Sequence, residues 1–315
     1  MTTTNTKATT TPDPAQTMAK QIVCIDLSIS RPGTRRKVDT GTVNKSDAKD
    51  ERLHVSKTVL KSERLDDVNE VTGKARRYMM AQALPMSMYR NGLYPISLGR
   101  LEEIPAELDK LKTEFDAAVE AFLDEYAPNN GKESAIIAAD REALNSLFET
   151  SDYPTRDEMR KKFGFEYFIM AQHTPESIKS ISQSMYTKEA KRAQDRLRIA
   201  ADELIVGLRL RFKDLVDHMV DRLSPNAVGE KKKFHSANID KLSSFLKSLK
   251  TDNVLGDDVI NGLAEKASSL LEGLDVKSMK DDETYQGQVL QSFTELKSQL
   301  DAVSKDAERS FDFTE

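Results

Sequence analysis

The sequence predicts a mainly α protein with small β elements, an elongated helical molecule built around a long antiparallel coiled-coil hairpin. Three observations point there. Charged residues make up 31% of the 315 and hydrophobic ones 38%, with only 13 glycines and 10 prolines, a mix that suits long solvent-washed helices. Two long stretches repeat apolar residues at spacings of three and four, the period of a single helix face. Only short runs alternate with the period of two that marks strands.

The opening "MTTTNTKATTTPDPAQTMAK" is polar and Thr-rich with no apolar run, which predicts a disordered tail over 1–20 rather than a signal peptide. "QIVCIDLSIS" is rich in β-branched residues and reads as a strand, "RPGTRR" as a turn and "RKVDTGTV" as a partner strand. Helices are expected over about Asp47 to Leu60 and from "LDDVNE" to Leu84, where Pro85 closes the second. "LPMSMYRNGLYPISL" is a connector with a hairpin-turn signal at Asn91-Gly92.

From Pro105, the residues Leu108, Leu111, Phe115, Val119, Phe122 and Tyr126 line one helix face. "APNNGK" breaks that helix, and another runs from Glu133 to Phe148. Thr174 and Pro175 open a further helix as cap and first residue. A long helix, about Lys188 to Leu223, carries Leu197, Ala201, Leu204, Leu208, Phe212, Leu215, Met219 and Leu223 on one stripe. It is expected to pair with the Pro105 helix as the hairpin. Past the "SPNAVGEKKKF" linker, Ser236 caps one helix and a Leu-rich one runs from Gly256 to Leu271. The last shows Tyr285, Val289, Phe293, Leu296, Leu300 and Val303 in near-strict heptads, a candidate self-association seam. The expected division is a tail over 1–20, a strand or hairpin with helices over 21–97, and the helical hairpin with a short β insertion near 165–171 over 98–223. A C-terminal helical segment fills 224–315.

Net charge is −5, so no global basic field draws the chain to DNA or membrane. No apolar run reaches the roughly 18 residues a bilayer span needs. A single cysteine, Cys24, excludes an intrachain disulfide and any multi-cysteine zinc site, and a cytoplasmic setting is expected. Cys24 sits in the first strand, where a buried inert thiol is expected. GxxxxGK[ST], GxGxxG, HExxH and GxSxG are all missing, and His54, His173, His218 and His235 are far apart. His218, with Asp214, Asp217 and Asp221 around it, reads as a solvated helix face rather than a metal site. No catalytic, cofactor or metal residue is assigned.

Two basic groups suit phosphate contact: Arg31, Arg35, Arg36 and Lys37 in "RPGTRRK", and Lys231, Lys232 and Lys233 in "EKKKFH". The aromatic-rich stretch "LFETSDYPTRDEMRKKFGFEYF" reads instead as a structural clamp. Phe148 closes a helix; Pro154 keeps Tyr153 out of the helical region; Thr155 and Glu158 form a capping box; Phe163 and Phe165 supply anchors. Phe165, Tyr167 and Ile169 would line one strand face.

The order of "ARRYMMAQALPMSMYRNGLYPIS", "LKTEFDAAVEAFLDEY", "LNSLFETSDYPTRDEMRKKFGFEYFIM", "RFKDLVDHMVDRLS" and "KFHSANIDKLSSFLKSL" resembles an uncharacterised phage and bacterial family, domain of unknown function 3150. The resemblance extends from about Gln21 to Ser310. A usual Leu-Pro-Trp-like segment of the family reads Leu84-Pro85-Met86 here. The resemblance implies no established activity and no catalytic residue. It does imply a phage or prophage setting near a MoxR-type AAA+ ATPase, sometimes with a von Willebrand-type metal-binding protein. The expected function is therefore a non-enzymatic helical accessory or assembly protein, homo-oligomeric and partnered with that ATPase. A nucleic-acid-associated role through the basic loops is the alternative, and a hydrolase or metal enzyme ranks last.

Overall fold

The structure is a computed structural model that describes residues 13–38, 55–87, 92–128, 133–171, 176–225, 232, 236–275 and 282–310, with 305–310 as backbone. The chain forms two compact units. An insert unit holds residues 25–82 and 102–169; a terminal unit holds 1–24, 83–101 and 170–315. A three-stranded sheet has the order β4-β1-β5, with β1 (Ile22–Ser30) central and β4 (Leu93–Ser97) and β5 (Gly164–Ala171) at the edges. Ile22, Val23, Cys24, Ile25 and Leu27 of β1 are buried, as a strand covered on both faces requires.

In the insert unit, α2 (Glu63–Gln82) and α3 (Glu103–Tyr126) pack along their lengths. Leu65, Val68, Ala75 and Met79 of α2 and Leu108, Leu111, Phe115, Val119 and Phe122 of α3 form the buried stripes. β2 (Arg35–Lys37) pairs antiparallel with β3 (Ser56–Thr58), placing Arg36 opposite Lys57. The helix expected over Asp47 to Leu60 is corrected here. Residues 47–54 lie outside the described residues, and Ser56–Thr58 is a strand. Hydrogen bonds from Val38 N–H to Val55 O (2.9 Å) and from Val59 N–H to Thr34 O (2.7 Å) extend its ladder, and Leu60 leaves in the left-handed region at φ 61°. The helix expected from Glu133 to Phe148 is α4 (Ala135–Leu144), capped by Ser134, and it stops where Asn145 turns to φ 45°. A short α5 (Arg156–Arg160) follows.

In the terminal unit, α1 (Pro14–Gln21) corrects the expected tail over 1–20. Asp13 caps it, Pro14 takes the first helical position, and Ala15 and Met18 are buried where the helix packs on α7 (Gln183–Leu223). Residues 1–12, Asn91, Thr174 and Pro175 lie outside the described residues. α6 (Ser177–Ile181) precedes α7, whose N-cap is Ser182. α8 (Ser236–Asp252), α9 (Asp258–Glu272) and α10 (Glu283–Ser310) complete the unit.

α10 runs antiparallel to α7. Arg209 donates to Val303 O at 3.2 Å, Lys213 meets Asp301 at 3.1 Å, and Gln286 donates to Leu223 O at 3.2 Å. Between them Leu204, Leu208, Phe212, Val216, Val289, Phe293, Leu296 and Leu300 are buried. The heptad face of the last helix is thus covered within the chain. The two long helices take partners inside their own units, α3 with α2 and α7 with α10, instead of forming the hairpin expected of the pair. A heptad stripe asks for a partner without specifying which. Gly207 of α7 lets the 84–86 connector lie close, since a Cβ there would stand 2.6 Å from Pro85 Cγ. Among the described residues no helix is long and apolar enough to cross a membrane.

Candidate functional site

A set of buried and half-buried polar side chains gathers in the insert unit around the 147–158 turn. Its origin is the β2–β3 pair. Alternation along the strands turns Arg35, Lys37, Ser56 and Thr58 outward and Arg36 and Lys57 inward. Two cations opposite each other on one face repel unless anions separate them. Asp152 supplies the anion, 2.8 Å from Lys57 Nζ and 3.6 Å from Arg36 Nε. Lys57 also donates to Leu147 O at 2.6 Å and meets Glu149 at 3.6 Å, leaving its side chain 3% exposed.

A second carboxylate, Asp140 of α4, is also buried. It accepts from the backbone N–H of left-handed Leu60 at 2.7 Å and from Tyr153 Oη at 3.0 Å. Burial first, and then the bond to Asp140, hold the Tyr153 phenol far above its ordinary range. Tyr153 stacks on Phe148 at 5.2 Å, and the Arg141 guanidinium lies 5.2 Å from the other ring's centre in Phe148. Tyr126 donates to Pro154 O at 2.5 Å. Thr155 and Glu158 form the capping box that starts α5. Arg156 then turns back to the end of α3, donating to Leu123 O at 2.6 Å and Ala127 O at 3.1 Å. A cation on the last carbonyls of a helix meets the negative end of its dipole.

Beneath the turn is an aromatic cluster. Phe163 sits 5.5 Å from Phe122 and 6.5 Å from Phe115, and Phe165 sits 5.6 Å from Phe115. Along β5 this burial fades: Phe165 is buried, Tyr167 half-buried, and Ile169 exposed. The face expected of these three residues therefore closes only at its first position.

The phosphate-contact candidates are dispersed. Arg36 is committed to Asp152 and to the carbonyls of Gly33 and Arg35, and Arg31 donates to Asn69. Arg35 and Lys37 are exposed. Lys232 belongs to the terminal unit and donates to Asp221 at 2.6 Å; Lys231 and Lys233 lie outside the described residues. Around His218, Asp217 is held by Lys213 and Lys297, while the ring Nε2 lies 3.2 Å from Asn238 Oδ1. Among the described residues no three His, Cys, Asp or Glu side chains gather as metal ligands.

Chemically, the arrangement neutralises its own charges and ties three chain segments, 34–60, 140–158 and 120–127, into one body. The key residues Lys57 and Asp140 were not singled out from the sequence. "HVSKTV" does carry a strand alternation that would turn Lys57 inward, but no local pattern announces Asp140.

The high phenol pKa values make alkaline stability a test. Burial pushes Tyr126 up to about 12 from 10.0, and burial with the Asp109 bond pushes Tyr167 up to about 12. These groups keep their protons in the folded chain while unfolded tyrosines lose theirs, so stability falls as pH rises from 10 to 12. Denaturant midpoints measured across that window should drop, and Tyr126→Phe should drop less steeply. A flat profile would refute the assignment.

Fold and site together define a mainly helical, two-unit protein whose insert unit is fastened by a buried ionic clasp. The chain belongs to the family described as Protein of unknown function (DUF3150), whose signature matches residues 19–203. That range contains the whole clasp and ends within α7. Neither the curated proteins nor the solved structures provide a match.

Proposed function

We propose that this is a non-enzymatic accessory or assembly protein of a phage or prophage, acting through protein contacts with a MoxR-type AAA+ ATPase. The observation that carries this reading lies where the chain enters α7. Ile181, the last residue of α6, is 84% exposed, and Met185, in the first turn of α7, is 56% exposed. Large apolar groups left in water at a helix junction favour a protein partner, and methionine adapts its shape to one. Of the seven cations expected to serve the nucleic-acid alternative, Arg36 and Lys232 are paired with carboxylates, Arg31, Arg35 and Lys37 are exposed, and Lys231 and Lys233 lie outside the described residues.

Co-expression with a MoxR-type AAA+ ATPase tests the proposal. The two proteins should co-purify, and Ile181→Asp with Met185→Asp should cut the recovered complex about tenfold, the loss of roughly 1.4 kcal/mol. Unfolding of the variant should be unchanged, because both side chains are already in water. Failure of any complex to form would overturn the reading.

A further inference from the structure

The first half of α7 has a second face. Its inner stripe packs on α1 and α10, and Gln194 and Arg198 reach Asp13 at the start of α1, at 2.8 and 3.5 Å. On the other side Met185, Lys188, Arg192, Arg196 and Ile199 follow one another at spacings of three and four, which keeps them on one helix face. All five are exposed, Met185 by 56% and Ile199 by 57%. They cover about 21 Å of helix at 1.5 Å per residue.

The row differs in sign from the chain that carries it. Between residues 183 and 199 five cations, Lys188, Lys191, Arg192, Arg196 and Arg198, stand against two anions, Glu189 and Asp195, a local charge of +3 in a chain of −5. Arg192 meets Glu189 at 2.7 Å, one turn back on the same helix. Like charges four residues apart repel and weaken a helix. Lys188, Arg192 and Arg196 are spaced in that way, and carboxylates set against them would relieve the repulsion.

Four kinds of surface could meet such a row, and its composition favours one. The same row on a second copy would bring the same cations and repel. A bilayer takes up helices whose apolar residues share one face and whose cations lie on the other, whereas here both stand in one line. A phosphate backbone would meet Glu189 and Asp195 as like charges among the cations, and it has no contact to make with the methionine and isoleucine at the two ends. A protein surface can set a carboxylate opposite each cation and an apolar pocket at each end. In such an interface the apolar anchors hold the complex while the charges steer it and fix its register.

We infer, on the protein-contact reading above, that this face of α7 docks a row of carboxylates on the protein partner, with Met185 and Ile199 as the apolar ends of the contact. The test measures binding of the full chain to a MoxR-type AAA+ ATPase as salt rises from about 0.05 to about 0.5 M. Affinity should fall about tenfold over that range, because attraction between exposed charges is screened. Lys188→Ala with Arg192→Ala and Arg196→Ala should weaken binding about tenfold at low salt and flatten the salt response. Lys188→Glu with Arg192→Glu and Arg196→Glu should weaken it further. The alanine set keeps a high helix propensity, so it reports on the row even if the charge-reversed chain fails to fold. A complex that forms with the alanine set at unchanged affinity and unchanged salt response overturns the inference and leaves the ATPase contact through Ile181 and Met185 standing. Absence of any complex with the unaltered chain overturns both. Binding of a double-stranded oligonucleotide, or of vesicles of phosphatidylserine and phosphatidylcholine, that the alanine set loses would assign the row to phosphates and overturn the inference as well.

Discussion

Asp152→Ala is expected to destabilise the insert unit by about 3–5 kcal/mol, the cost of leaving a buried charge without its counter-ion. The charge left behind is Lys57. Its remaining anion, Glu149, stands 3.6 Å away with a side chain 66% exposed, so water and salt screen it. Arg36 loses the same carboxylate, and the two facing cations would repel across the β2–β3 pair. Replacing both partners, Lys57→Met with Asp152→Leu, should recover most of the loss, because two apolar groups need no counter-charge. Denaturant unfolding followed by circular dichroism separates the cases. A loss for the single variant no larger than that of a surface pair, up to about 1 kcal/mol, would show that the clasp is not an energetic feature of the unit.

Phe122→Ala should cost a similar amount, about 3–5 kcal/mol, for a different reason. The ring is fully buried, stacks on Tyr126 at 5.7 Å and meets Phe163 edge-on at 5.5 Å. Removing it opens a cavity under the turn that rigid neighbours on α3 and the 163–165 segment cannot fill. Phe168→Ala is the internal control. With most of its ring already in solvent, it should change stability by no more than about 0.5 kcal/mol. Equal effects for the two variants would contradict the burial that distinguishes them.

The features legible in the sequence are those whose cause is local. Thr155 and Glu158 form a capping box because three residues of spacing suffice to close it. The stripes of α3 and α7 follow from helical period alone. The expected positions of α3 are buried, with Ile104 and Leu123 besides. On α7 the expected Leu197 and Leu215 are half-buried, and Ala200 and Val216 lie inside in addition. Asp13 and Pro14 start α1 by equally local means, a cap and a first-turn proline, within the segment whose Thr-rich composition reads as a tail. The clasp was not legible. Lys57 and Leu147 meet across ninety positions, and Asp140 reaches back eighty to Leu60, distances at which composition carries no trace of pairing. The partner of α7 was hidden for the same reason, since heptads on α3 and α10 look alike from α7.

The discontinuous make-up of the terminal unit sets an order on the ribosome. Every residue of the insert unit has been made once Ile169 is added, whereas the other core joins Met18, Ile22, Leu84 and Met86 to Phe293, Leu296 and Leu300. Domains complete in the order in which their residues emerge. The early apolar residues of the terminal core therefore wait through most of translation for the helix that will cover them, while the insert unit already has all of its parts.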